Sequence, residues 1–173
     1  AVRTGRDPLT TRVFSNGHVP PAPGQAQNME QRCGPYLAHS MREMGYRTFG
    51  IGKFHSQPGD EDLGYDVHLR SEEILAEPAR RAADAYGAYI AEQHPAYDFV
   101  EGLHGERTEM YYMPQMSPMP AAHTVEGWAT DRAIEQISRD DDGRPFFGFV
   151  SFIGPHPPVA PPIPFNRLYD PDR

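Results

Sequence analysis

The sequence is short of cysteine, of positive charge and of long apolar runs, and each shortage closes off a class of protein. Cys33 is the single cysteine in 173 residues, so no disulfide can form within the chain. No run approaches the roughly 18 apolar residues that a membrane-crossing helix requires. Lys and Arg number 16 against 24 Asp and Glu, a formal charge of -8. Nucleic acid and anionic membrane surfaces are bound by clustered positive charge, so neither is expected as a partner. An anionic small molecule stays admissible, because a local cationic pocket can outweigh the global field.

Metal and phosphate motifs are missing as well. His18, His39, His68, His94, His104 and His123 are scattered, without a helical i, i+4 ligand pair. The acidic runs Asp60-Glu61-Asp62 and Asp140-Asp141-Asp142 lack an EF-hand layout and read as solvated turns. Gly50-Ile51-Gly52-Lys53 does not have the spacing of a phosphate-cradling loop. Cys33 has Arg32 as its one cationic neighbour in sequence and reads as a structural thiol, since a reactive one needs thiolate-stabilising surroundings.

What the chain has in quantity is proline and glycine, 19 and 16 residues. They show no repeat period, which points to a loop-rich globular protein rather than a solenoid or a collagen-like chain. Residues 1 to 32 read as loop. Leu37, Met41 and Met44 fall at helical spacing, so Tyr36 to Met44 is expected as a short helix closed by Gly45. Tyr46 to Ile51 reads as a strand, and residues 56 to 70 as loop. Ser71 with Glu72 and Glu73 looks like a helix start broken by Pro78. Ala82, Tyr86, Tyr89 and Ile90 share a face of a second helix running to about Glu92. Pro95 to Ala121 reads as one long irregular segment, and Val125, Trp128, Ala129, Ala133 and Ile137 as the stripe of a helix from about His123 to Ser138. The run from Phe146 to Ile153 is nearly continuous apolar sequence, the pattern of a central strand buried on both faces. The tail from Pro158 is expected to cross the surface. Helix, glycine, strand and loop in this order give an α/β fold, a mostly parallel sheet flanked by helices.

In open α/β sheets, ligands bind beyond the carboxyl ends of the strands. Lys53 and His55 follow the first strand, and His156, between Pro155 and Pro157, follows the last. In an extended chain the side-chain period of two would turn Lys53 and His55 to the same side. A fixed ammonium beside imidazoles suits an anionic group whose reaction also needs a proton moved. On spacing alone the same residues also read as a solvated lysine, a loop-capping imidazole and a histidine packed by its prolines. Tyr111-Tyr112-Met113 is equally open, as a pocket lining or as a hydrophobic anchor of its loop.

Four segments, in order, resemble the sulfatase family of the alkaline-phosphatase superfamily. Thr4-Gly5-Arg6 is similar to the end of a signature that begins Cys-x-Pro-Ser-Arg. Leu37 to His55 resembles the helix, Gly-Tyr-x-Thr strand and Gly-Lys-x-His motif; Trp128 to Ile134 resembles the helix before the next strand; and Pro145 to Pro157 resembles the Pro-Phe-Phe strand ending in Pro-His-x-Pro. The likeness is closest to the branch of choline-sulfatase-like and phosphonate-monoester-hydrolase-like enzymes.

The resemblance implies hydrolysis of a small-molecule sulfate (or phosphonate) ester by a formylglycine nucleophile beside a divalent cation, usually calcium. Carried over by motif, Lys53 would bind the sulfate and the nucleophile's oxygen, His55 would handle the proton of the formylglycine diol, and His156 would contact the sulfate or the leaving-group oxygen. The nucleophile half of the signature would lie upstream of Ala1, and the acidic and Asp-Asn metal ligands of the family also find no counterpart here. The chain starts without Met and both ends look cut. Residues 1–173 are therefore expected to be part of a single sulfatase-type catalytic domain, incomplete at both ends, with no metal ligands of its own and inactive by itself. Two other readings stand beside sulfate-ester hydrolysis: a phosphonate monoester or phosphodiester hydrolase on the same scaffold, and a non-catalytic relative.

Overall fold

A computed structural model describes residues 3–14, 29–56, 59, 61–105, 108–139 and 142–170. Its elements are short: α1 (Pro8–Thr11), α2 (Met29–Cys33), α3 (Leu37–Glu43), β1 (Arg47–Gly52), β2 (Val67–Arg70), α4 (Pro78–Ala82), α5 (Ala85–Gln93), α6 (Pro95–His104), α7 (Val125–Ile137) and β3 (Phe146–Ser151), with single 3-10 turns at Ala121–His123 and Phe165–Arg167. The three strands form one sheet in the order β2-β1-β3, flanked by helices. The Arg47 and Lys53 amides donate to the carbonyls of Pro145 and Ser151, at 2.9 and 3.0 Å, which fixes one constant register and a parallel pairing of β1 with β3. The α/β class expected from the sequence is the observed one.

The described residues gather into two compact units. One comprises Ala1–Phe49, His55–His68 and Asp140–Gly148; the other comprises Gly50–Phe54, Leu69–Arg139 and Phe149–Arg173. In the first, Ala38, Phe49 and Leu63 are buried, and Phe49 packs on Phe146 with ring centroids 5.7 Å apart. Thr48 ties this unit together. Its amide donates to Asp66 Oδ2 at 2.9 Å, its hydroxyl donates to the Gly64 carbonyl at 3.1 Å, and the same oxygen accepts from the Asp66 amide at 2.9 Å. Gly64 adopts φ 87, and a Cβ there would overlap the backbone nitrogen of His39, so the turn accepts glycine alone.

In the second unit Tyr86, Ile90, Met119, Val125, Trp128 and Ala129 form the centre, with Tyr86 and Trp128 tilted at 5.9 Å. Helix α7 forms where its stripe predicts, and Thr124 caps it by accepting from the Gly127 amide at 3.2 Å. Ile137, at the end of that stripe, is exposed.

Several expectations are corrected. Phe146 to Ile153 is not a central strand: β3 lies at one end of the strand order and alternates exposed with half-buried residues, whereas all six residues of β1 are buried. A continuous apolar run reports hydrophobicity but not which neighbours cover it. Ser71 does not start a helix. Its amide extends the sheet by donating to Gly52 at 2.9 Å, and α5 is capped instead by Asp84, which accepts from Gly87 at 2.9 Å. Pro95 to Ala121 is not wholly irregular, because α6 occupies its first ten residues with Pro95 in the first turn. Strand β2 lies within the expected loop of residues 56 to 70. Within residues 1 to 32, α1 and most of α2 are helical, while residues 15–28 lie outside the described residues, as do Asp60, Asp140 and Asp141. Glu61 is buried rather than solvated, and accepts from the Met29 amide at 2.9 Å at the start of α2.

The tail crosses the surface as expected, with no described residue from 158 onward buried, and it is tied down along the way. The Gln115, Ser117 and Ala121 amides donate to Val159, Pro161 and Ile163, and Ile163 donates back to Met119 at 3.0 Å. Two proline-rich irregular segments thereby answer each other's backbone groups, as burial demands.

Candidate functional site at the carboxyl edge of the sheet

The site is built from the point where β1 stops. Gly52 adopts φ 97, and a Cβ on it would overlap the carbonyl oxygen of Ser151. That close approach lets the Lys53 amide keep its bond to Ser151 after the strand has ended, so the lysine backbone is pinned to the carboxyl end of β3. On the β2 side, Ser71 is fully buried and bonded to Gly52, and the Glu72 amide donates to Asp84 Oδ2 at 3.0 Å. Glu73 therefore projects from a segment fastened at the two residues before it.

Lys53 and His156 converge on the Glu73 carboxylate. Lys53 Nζ donates to Oε1, and Nδ1 of His156 lies 3.3 Å from Oε2. The lysine and glutamate side chains are 15% and 14% exposed and the histidine 42%, so the ion pair is largely withdrawn from water while the imidazole keeps one open side. Oε2 is buried and makes no hydrogen bond: its 3.3 Å approach to Nδ1 is an ion-pair distance without hydrogen-bond alignment. His156 is set by a turn in which its amide donates to Ile153 at 3.1 Å, while the Gly154 amide donates to Glu126 Oε1 on α7 at 3.0 Å. The Tyr111 hydroxyl and the Pro157 carbonyl also approach Nδ1, at 3.1 and 3.0 Å. No partner of Nε2 occurs among the described residues.

Of the residues singled out by sequence, the structure thus gathers Lys53 and His156 about one carboxylate. His55 is exposed, with φ 50. The period of two assumed for residues 53 to 55 does not apply, because β1 ends at Gly52 and His55 is in the left-handed region. Tyr111 is buried with its hydroxyl at His156, whereas Tyr112 and Met113 are exposed. Cys33 is buried, its Sγ 3.5 Å from Met29 Sδ. Sequence reasoning missed Glu73 and Glu126. Each looks like an ordinary helical or turn glutamate, and no local pattern marks it.

Calcium was the implied cation. Among the described residues no group of three or more His, Cys, Asp or Glu side chains is arranged to hold a metal ion. The described residues do not fit such a site, and no step is derived through one. No helix among them is long and apolar enough to cross a membrane.

The protein is of the α/β class, with an ammonium and an imidazole at the carboxyl edge of a parallel sheet. The Sulfatase family model matches residues 1–170. The chain belongs to the sulfatase family, a family of hydrolases.

Proposed function

We propose that this chain supplies part of the ester-binding site of a sulfuric ester hydrolase, in which Lys53 and His156 hold the oxygens of the transferring group and His55 handles a proton. The observation that carries the reading is the meeting of Lys53 and His156 on Glu73, from the ends of β1 and β3 that the family motifs occupy. An ammonium has three N–H donors. One is spent on Glu73, and the others remain to meet charge on an ester oxygen, where preorganised donors in a shielded site act most strongly. His156 Nε2, without a partner among the described residues, is placed to give or take a proton at the leaving group. The nucleophile, a formylglycine made from Cys or Ser, would be encoded upstream of Ala1, and calcium ligands would come from outside the chain.

The Lys53–Glu73 pair also supports the second reading, a phosphonate monoester or phosphodiester hydrolase. Sulfate monoesters, phosphonate monoesters and phosphodiesters are all singly charged tetrahedral groups, so the free donors of Lys53 and His156 would serve either class. The choline-sulfatase-like and phosphonate-hydrolase-like branch is proposed on the same grounds.

The gene should be read upstream of the codon for Ala1. A Cys-x-Pro-Ser-Arg or serine equivalent is the expected result, and a nucleophile position holding neither Cys nor Ser overturns the formylglycine mechanism. In the protein carrying it, Lys53→Ala and His156→Ala are each expected to lower kcat/KM for an aryl sulfate by about 100-fold or more. Comparing aryl sulfate with aryl phosphonate turnover separates the two ester classes.

A further inference from the structure

We propose that Glu73 is the positioning residue of this site: it joins Lys53 to His156 and holds the imidazole in the Nδ1–H tautomer, leaving Nε2 to face the ester. The inference rests on the reading of the site given above.

The argument begins with the groups around Nδ1. Glu73 Oε2 at 3.3 Å and the Pro157 carbonyl at 3.0 Å can accept hydrogen bonds but not donate them. The Tyr111 hydroxyl at 3.1 Å can do either. A lone pair on Nδ1 would face two acceptors, one of them charged. A proton on Nδ1 is donated to the Pro157 carbonyl and lies favourably beside the Glu73 charge, and Tyr111 then accepts or turns its own hydrogen away. The tautomer of a histidine is set by the partner of its other nitrogen, so the crowd at Nδ1 decides what Nε2 can do. A neutral His156 then presents a lone pair at Nε2.

Glu73 is also equipped for the task by its own anchoring. Its Oε2 is buried without a hydrogen bond, and a buried unpaired carboxylate oxygen is costly unless a donor is close at hand. Its Oε1 is held by Lys53, and Ser71 and Glu72 are tied to Gly52 and Asp84. The carboxylate is therefore held at its Oε1 by Lys53 and projects from a segment fastened at its backbone. Neither Lys53 nor His156 touches the other in the described bonds. Their backbones are set by the bonds to Ser151 and Ile153, and their side chains are joined through this one carboxylate.

The test is spectroscopic and needs no turnover. In the 15N-labelled chain, long-range 1H–15N correlations report which imidazole nitrogen of each histidine carries the proton, and the His156 signals are assigned by their loss in His156→Gln. The expected result at a pH where His156 is neutral is a dominant Nδ1–H form. In Glu73→Gln its ratio to the Nε2–H form should fall by about tenfold, because the negative charge beside Nδ1 is removed. The Trp128 indole signal, from the core of the same unit, shows that the fold is kept. If Glu73→Gln fails to fold, Glu73→Asp is read in the same way, because its shorter arm withdraws the carboxylate from Nδ1. A wild-type Nε2–H tautomer, or a ratio unmoved in the folded variant, overturns the proposal. Methyl sulfate added to the protein that carries the upstream nucleophile segment is the separate arm. If it shifts Nε2, the ester-site reading gains support; if the tautomer result holds and Nε2 does not respond, that reading fails while the positioning role of Glu73 stands.

Discussion

The hydroxyl of Tyr111 lies 3.1 Å from Nδ1 of His156, across 45 residues of sequence. Through it the long segment after α6 touches the candidate chemistry. Because the ring is buried, two truncations separate its roles. Tyr111→Phe keeps the packing and removes the hydroxyl, with an expected loss of about 1 kcal/mol. Tyr111→Ala also opens a cavity and should cost about 3–5 kcal/mol. Urea unfolding followed by fluorescence distinguishes them, and equal losses would mean that the hydroxyl, not the ring, does the work.

The pH dependence of stability should carry a contribution from Glu101 on α6. Burial pushes its carboxyl up from 4.5 to about 7; Arg81 and the Tyr86 hydroxyl oppose the shift, and Glu126 and Asp98 add to it. The residue as a whole is half-buried, but its Oε2 is buried and makes no hydrogen bond. Because the folded form holds its proton more tightly than the unfolded chain, this contribution to stability is full below about 4.5 and is lost as pH rises towards about 7. The 2.5-unit difference between those values corresponds to on the order of 3 kcal/mol at most. Glu101→Gln should flatten that part of the profile and be the more stable protein at pH 8. Urea midpoints for both proteins at about pH 5 and pH 8 check it, and parallel profiles would refute it.

Gly52→Ala should be among the most damaging small substitutions in the chain. It combines φ 97 with a Cβ placed into the Ser151 carbonyl, at the hinge between β1 and Lys53. A loss of about 3 kcal/mol or more is expected. Gly102→Ala is the control, since nothing lies within 4 Å of a Cβ there and its helix gains from alanine, by about 0.5–1 kcal/mol. Thermal unfolding of the pair should move in opposite directions.

Asp84 serves two segments at once, capping α5 through Gly87 and holding the Glu72 amide. Asp84→Ala is expected to cost about 1–2 kcal/mol as a lost cap. It should also move the His156 imidazole signals, because Glu73 follows the residue released. Loss of stability with unchanged His156 signals would confine Asp84 to capping.

Much of the fold was legible in the chain. Helix α3, the glycine after it and β1 follow from the spacing of Leu37 and Met41, from Gly45 and from the strand-favouring Tyr46, Thr48, Phe49 and Ile51 that come next. Helix α7 follows from its stripe and from the threonine before it. These are local matters, decided within a turn or two of backbone. Helix α6 was hidden because the prolines and methionines that follow it made the whole segment from Pro95 read as loop, although its own ten residues are amphipathic. The place of β3 in the sheet was hidden because an apolar run is the same string whether a neighbour covers it or not.

The sequence by itself determined the family and singled out Lys53 and His156, which the structure brings to one carboxylate. Gly-Lys-x-His and Pro-His-x-Pro are contiguous motifs, and contiguous motifs survive in a string of letters. Only the tertiary structure chose Glu73, Tyr111 and Glu126 as their companions. Glu73 is 20 residues from Lys53, and Tyr111 is 45 from His156. Such groups act through distance and desolvation, which the chain acquires when the backbone bonds of Gly52, Ser71 and Glu72 bring separate segments to one edge of a sheet.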